Sequence, residues 1–185
     1  EEAKAMFHGF IIKYEKRKLP VIIKPETQMT PLEKIERYLV EVGGIQDSMV
    51  YRTFDEHKSW KNALVVMDMT ASMYQYAPQA VLWHIHNFET SGIKYFCYFN
   101  DGDRKPEVEK KIGETGGIYF QEANKTDKLA QLFYRVMKNG YGGETLDEND
   151  CEALLKAEEF YAGKFDNLIL VADNTNIRDI ELMNK

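Results

Sequence analysis

From residue 61 onward, short continuous apolar runs alternate with stretches in which apolar residues recur every three or four positions, the pattern of strands and helices in turn. Ala63-Leu64-Val65-Val66-Met67 is unbroken by polar residues, as expected of a parallel strand buried on both faces, and it ends on Asp68. After a loop from Thr70 to Tyr76, residues Ala77, Ala80, Val81, Ile85 and Phe88 mark a helix that Ser91-Gly92 stops. Lys94 to Phe99 reads as the next strand and runs into Asn100-Asp101-Gly102-Asp103; Ile118-Tyr119-Phe120 reads as a short one. Leu129, Leu132, Phe133, Val136 and Met137 form the stripe of a helix that Thr126 caps and Asn139-Gly140 closes. Another helix passes through Cys151, Leu154, Leu155, Glu158 and Phe160, and Leu168 to Ala172 repeats the buried-strand pattern before Asp173.

Residues 1–60 have a different texture. Charged stretches such as Lys13-Tyr14-Glu15-Lys16-Arg17-Lys18 precede Val21-Ile22-Ile23, a β-prone run between Pro20 and Pro25. Thr30, Pro31 and Glu33 then have the spacing of a capping box, and Ile35, Tyr38, Leu39 and Val42 continue a helix up to Gly43-Gly44. A second helix is expected from Ser48 towards Trp60. The organisation predicted is a mainly helical N-terminal extension over 1–60, followed over 61–185 by an α/β domain with a doubly wound, mostly parallel central sheet flanked by helices.

Composition narrows the functions. The 185 residues are 44% hydrophobic and 29% charged, ordinary for a globular chain. A net charge of -6 disfavours nucleic acid or an anionic membrane as the main partner, and no apolar run is long enough to span a bilayer. Cys97 and Cys151 are the only cysteines, so neither a disulfide framework nor a zinc cluster is indicated, although one bridge between them stays open. GxxxxGK[ST] and GxGxxG do not occur.

The informative coincidence is that three strands finish on or beside Asp68, Asp101 and Asp173. If the strands are parallel, their carboxyl ends share one edge, where open α/β sheets bind ligands. Carboxylates grouped there repel one another unless a cation sits among them, and Mg²⁺ and Ca²⁺ prefer such oxygen ligands. Thr70 and Ser72 follow Asp68 at alternate positions, so the loop is able to turn both hydroxyls towards one point. Each residue also has a plainer role: an aspartate solvating a loop, a Thr or Ser capping a helix, or Asp101-Gly102-Asp103 forming a turn. His84 and His86 lie two positions apart on a helix, face different ways, and are expected at the surface or in packing.

Asp68-Met69-Thr70-Ala71-Ser72 after an apolar strand, Thr145 in a Gly-Gly loop before a helix, and Asp173 at the end of a later apolar strand resemble the von Willebrand factor type A (vWA) domain. The resemblance spans about residues 61 to 179. It implies a Rossmann-like fold and a metal-ion-dependent adhesion site in which Thr70 and Ser72 ligate the metal, Asp68 and Asp173 act directly or through water, and Thr145 is the fifth group. Because the third loop reads Gly142-Gly143-Glu144-Thr145, Glu144 and Asp147 are alternatives to Thr145. The resemblance also implies further strands and helices after the Asp173 strand, whereas this chain stops at Lys185. The sheet is thus expected to be incomplete at the C-terminus, with Leu168–Ala172 as an edge: either the protein continues beyond Lys185, or the edge is covered from within or paired with a neighbouring copy. Trp60-Lys61-Asn62 and Gly113-x-Thr115-Gly116-Gly117 are similar to bacterial extracytoplasmic members without an assigned function, which implies a periplasmic, cell-surface or secreted location.

The function expected is a binding module rather than an enzyme: Mg²⁺, or Mn²⁺ or Ca²⁺, keeps a coordination position for a carboxylate of a partner protein. Two alternatives are a Mg²⁺-dependent phosphohydrolase of the haloacid-dehalogenase type with Asp68 as nucleophile, and a vWA-like scaffold that holds no metal. The phosphohydrolase needs an acid where Thr70 stands.

Overall fold

The computed structural model describes residues 3–7, 10–14, 25–41, 47–140, 145 and 147–184, the first two of these segments by their backbone alone. Strand β1 (Ala3–Phe7) pairs antiparallel with β2 (Phe10–Tyr14), a hairpin that the charged texture of this stretch did not suggest. The Val21-Ile22-Ile23 run and the Gly43-Gly44 stop lie outside the described residues. Helix α1 (Pro31–Glu41) begins with the predicted reciprocal cap: Glu33 N–H donates to Thr30 Oγ1 at 3.2 Å, and Thr30 N–H donates to a Glu33 carboxylate oxygen at 2.8 Å. Helix α2 (Met49–Glu56) starts after Ser48 and ends before His57.

The remaining elements are β3 (Ala63–Asp68), α3 (Ala77–His86), β4 (Ile93–Phe99), β5 (Ile118–Glu122), α4 (Thr126–Asn139), β6 (Asp147–Glu148), α5 (Asp150–Phe160), β7 (Asn167–Val171) and β8 (Asn176–Ile177). The central sheet has the order β5-β4-β3-β7. β3 runs parallel to both β4 and β7, and β5 is antiparallel to β4. The molecule is therefore α/β with a mostly parallel sheet, and the carboxyl ends of β3, β4 and β7 share one edge. Met69 N–H donates to Phe99 O at 2.7 Å and ties the first two of these ends together.

Alternation along the strands divides the core between the two faces. Val65, Met67, Phe96 and Tyr98 point into a cluster completed by α1, α2, α3 and α4, so the N-terminal helices pack into the same core as the sheet. Tyr38 of α1 meets Phe133 of α4 edge to face at 5.6 Å. Leu64, Val66, Cys97 and Phe99 point to the opposite face, where Ala153, Ala157 and Tyr161 cover them. β3 is buried throughout, as its apolar run predicts. β7 is not: Leu168 and Leu170 are 43% and 41% exposed, because β7 lies at the edge and its neighbours Leu64 and Val66 take the cover of α5.

One local expectation changes, and two left open are settled among the described residues. Thr126 is the first residue of α4 rather than its cap, and Lys125 takes the cap position. Cys97 and Cys151 are separate, buried, free thiols. His84 is a core residue: its Nε2–H donates to Ala123 O at 3.0 Å, which leaves Nδ1 to accept from Ser91 Oγ–H at 2.7 Å, and burial holds its pKa below the usual value.

Two glycines fix how the loops meet. Gly117 has φ +71°, and a Cβ there would lie 2.0 Å from Asn100 Oδ1, which accepts the Asp103 N–H at 2.8 Å to hold the turn after β4. Gly140 closes α4 at an ordinary φ of -78°, but a Cβ would lie 2.4 Å from Met69 O, in the loop after Asp68. Gly140→Ala should cost about 1–3 kcal/mol by overpacking and lower the melting temperature by several degrees. Gly163→Ala should cost about 1–2 kcal/mol, because Gly163 has φ +70° and nothing within 4 Å of its Cβ site. Thermal melts check this: a Gly140→Ala protein that melts with the wild type contradicts the close approach of α4 to the Asp68 loop.

Candidate metal centre

Asp68 is the last residue of β3 and has no exposure to solvent. Thr70 N–H donates to Asp68 Oδ1 at 2.7 Å, which bends the chain out of the strand, and the Thr70 and Ser72 hydroxyls lie 3.1 Å apart. At the end of β7, Asp173 makes the same kind of turn: its Oδ1 accepts from Thr175 N–H at 2.8 Å. The third contributor is Glu148. It lies on β6, which pairs in parallel with β8, and Arg178 N–H donates to Glu148 O at 2.8 Å. One carboxylate oxygen from each of Asp68, Glu148 and Asp173 lies within 4.8 Å of the others.

These acids are poorly compensated. Among the described residues, Asp68 Oδ2 and Glu148 Oε2 are buried side-chain oxygens without a hydrogen-bond partner. Burial is the main reason that both carboxyls are pushed above the usual range; at Asp68 the neighbouring Glu148 carboxyl and then the Thr70 N–H offset part of the shift, whereas at Glu148 the charge and proximity of Asp68 raise it further. Asp150 is pushed up to about 6, again chiefly by burial and then by Glu148.

The fit to a cation is good. A divalent ion bonded to oxygens at about 2.1–2.4 Å holds two of them at most about 4.2–4.8 Å apart, and the triad's oxygens all lie within 4.8 Å of one another. All candidate donors are carboxylate or hydroxyl oxygens, the set that suits Mg²⁺, Mn²⁺ or Ca²⁺. The triad would hold the ion directly, with Thr70 and Ser72 beside it.

Of the residues named from sequence, Asp68 and Asp173 meet in the triad, and Thr70 and Ser72 adjoin Asp68. The Thr145 hydroxyl accepts from Arg178 Nη2 at 3.3 Å. Of the two alternatives, Glu144 lies outside the described residues, and Asp147 directly precedes Glu148 on β6 and acts electrostatically on Arg178. Asp101 is not in the triad. It pairs with buried Lys110 and, at 2.7 Å, with Arg178; Glu107 bridges the same two cations at 2.8 Å each. Glu148 was not singled out in the sequence. Its only signal is its place two residues before α5, where a loop from the sheet edge enters a helix.

A second set of buried acids is satisfied by backbone donors and positions α5. Asp179 accepts from Cys151 N–H at 3.1 Å and Glu152 N–H at 2.6 Å, supplying from a distance the cap that Asn149 does not make. Glu152 accepts from Thr115 N–H at 2.8 Å and Gly116 N–H at 3.3 Å, and pairs with Lys156.

No protein-family model matches this chain, and neither a curated protein nor a solved structure matches it.

The raised carboxyls give a signed pH dependence. The folded Asp68 and Glu148 carboxyls bind protons more tightly than in the unfolded chain, so their contribution is intact below the unfolded values near pH 4 and is lost as pH rises through the folded ones. Asp68→Asn keeps the acceptor for Thr70 N–H and removes one buried charge. In chelator, the variant should gain melting temperature over the wild type as pH rises from about 5 to about 8. A difference independent of pH, or one that shrinks as pH rises, contradicts the buried-charge account.

Proposed function

We propose that the chain is a divalent-cation-dependent protein-binding module of the vWA type, with Asp68, Glu148 and Asp173 as cation ligands and the Thr70 and Ser72 hydroxyls completing the pocket. The observation that carries this reading is the convergence of Asp68, Glu148 and Asp173, one oxygen of each within 4.8 Å of the others, at a place where Asp68 and Glu148 also keep buried oxygens without a hydrogen-bond partner among the described residues. Natural folds rarely leave such groups uncompensated unless something else completes them. When bound, the cation supplies a positive centre with a coordination position for an oxygen of a partner. Two carboxylates balance a divalent charge; burial favours the proton on a third, which keeps the centre from turning net anionic and leaves it compatible with a partner's carboxylate. Asp68 and Asp173 are held by N–H donors in their own turns, so the ligands are positioned before the cation arrives.

The phosphohydrolase alternative gains one supporting observation, since Glu148 places beside Asp68 an acid that Thr70 cannot supply. Against it, Asp68 has no exposed surface and one of its oxygens is committed to Thr70 N–H.

A cation at about 100 times its dissociation constant should stabilise the wild type by about 2.7 kcal/mol, a rise of roughly 5–10 °C for a chain of this size. Asp68→Asn and Glu148→Gln should each abolish most of that rise. Equal shifts in wild type and both variants would place the cation elsewhere, and no shift with Mg²⁺, Mn²⁺ or Ca²⁺ would favour the metal-free scaffold. Phosphomonoester turnover that disappears in Asp68→Asn would favour the phosphohydrolase.

A further inference from the structure

The edge of the sheet farthest from β7 carries a different chemistry. β5 is the terminal strand there, and among the described residues it pairs only with β4. Asn100 N–H donates to Gly117 O at 3.0 Å and Ala123 N–H donates to Lys94 O at 2.9 Å, so Gly117, Tyr119, Gln121 and Ala123 turn their backbone groups towards β4. The N–H and C=O of Ile118 and Phe120 therefore face outward. The Glu122 carbonyl is already taken by Lys125 N–H and the Gln121 amide, which ends the open stretch.

Two clefts flank this edge. One, of about 390 Å³, lies towards α4 and is lined by Lys128 and Arg135; the other, of about 600 Å³, lies towards the end of α5 and is lined by Lys125, Lys128 and Lys164. Glu122 is the sole carboxylate lining either, and Lys125, Lys164 and Lys128 together hold its pKa down. Four cations against one acid stand out on a chain of net charge -6. The floor is aromatic: Phe160 is 56% exposed and stacks on Phe120 with centroids 4.2 Å apart, and Arg135 lies over Tyr119 at 5.3 Å.

We propose that this edge binds an extended acidic segment of a partner protein by strand addition to β5. The outward Ile118 and Phe120 groups would form the ladder. Alternate side chains of the segment would enter the two clefts, where the lysines and Arg135 select acidic residues. A peptide fits better than a single-stranded nucleic acid, because only a peptide can satisfy the open backbone groups, and the overall negative charge works against a polyphosphate.

The probe is a blocked glutamate–valine peptide of about eight residues, titrated into the full chain in chelator and followed by NMR, so that the result is independent of the cation centre. Binding should slow exchange of the Ile118 and Phe120 amides and weaken with salt. Lys128→Glu and Lys164→Glu, both at exposed positions outside the cation centre, should each weaken it by roughly three- to tenfold. Three outcomes overturn the proposal: no binding at low salt, binding that leaves those two amides unprotected, or displacement of the peptide by an oligothymidylate of similar length.

Discussion

The cost of keeping carboxylates out of water at the carboxyl edge of the sheet governs this molecule's functional end. β3 is buried along its whole length, so the acid that ends it is buried too, and nothing within the strand can neutralise it. One oxygen of Asp68 is satisfied by the turn that follows, the other has no hydrogen-bond partner among the described residues, and the carboxylate meets Glu148 and Asp173. Such a group persists only if a proton or a cation compensates it, and the turns around it exist to hold that compensation in place.

The segment after β7 assembles this arrangement. Within a few residues it supplies Asp173 to the triad, pairs β8 with β6 to fix the backbone of Glu148, sends Arg178 into the ion network of Asp101, Lys110 and Glu107, and caps α5 with Asp179. The network is sheltered at its centre, with the Lys110 side chain 1% exposed, and opens to solvent at Glu107, 27% exposed. Asp101 and Asp68 thus lie on one sheet edge with opposite roles. Asp101 is neutralised by its own protein, while Asp68 has an oxygen left to offer.

The α/β class, the central strands and the meeting of Asp68 and Asp173 at one edge were legible because they follow from local signals: an unbroken apolar run, its polar end, and the shared edge that parallel pairing creates. The capping box of Thr30 and Glu33 was legible for the same reason. What escaped depends on contacts distant in sequence. Glu148 joins the triad through the pairing of a two-residue strand with Asn176–Ile177, which carries no periodicity to detect. Asp179 caps a helix 28 residues upstream of it. The edge position of Leu168 and Leu170 was expected from the resemblance alone and not from their apolar run, since a central strand and an edge strand share that composition and differ only in their neighbours.

The most direct test is crystallography of the chain grown with Mn²⁺, with anomalous difference maps recorded at the manganese edge. The account predicts one strong peak within bonding distance of carboxylate oxygens of Asp68, Glu148 and Asp173. A map with no peak there, or with manganese bound only at other acidic residues, would contradict it.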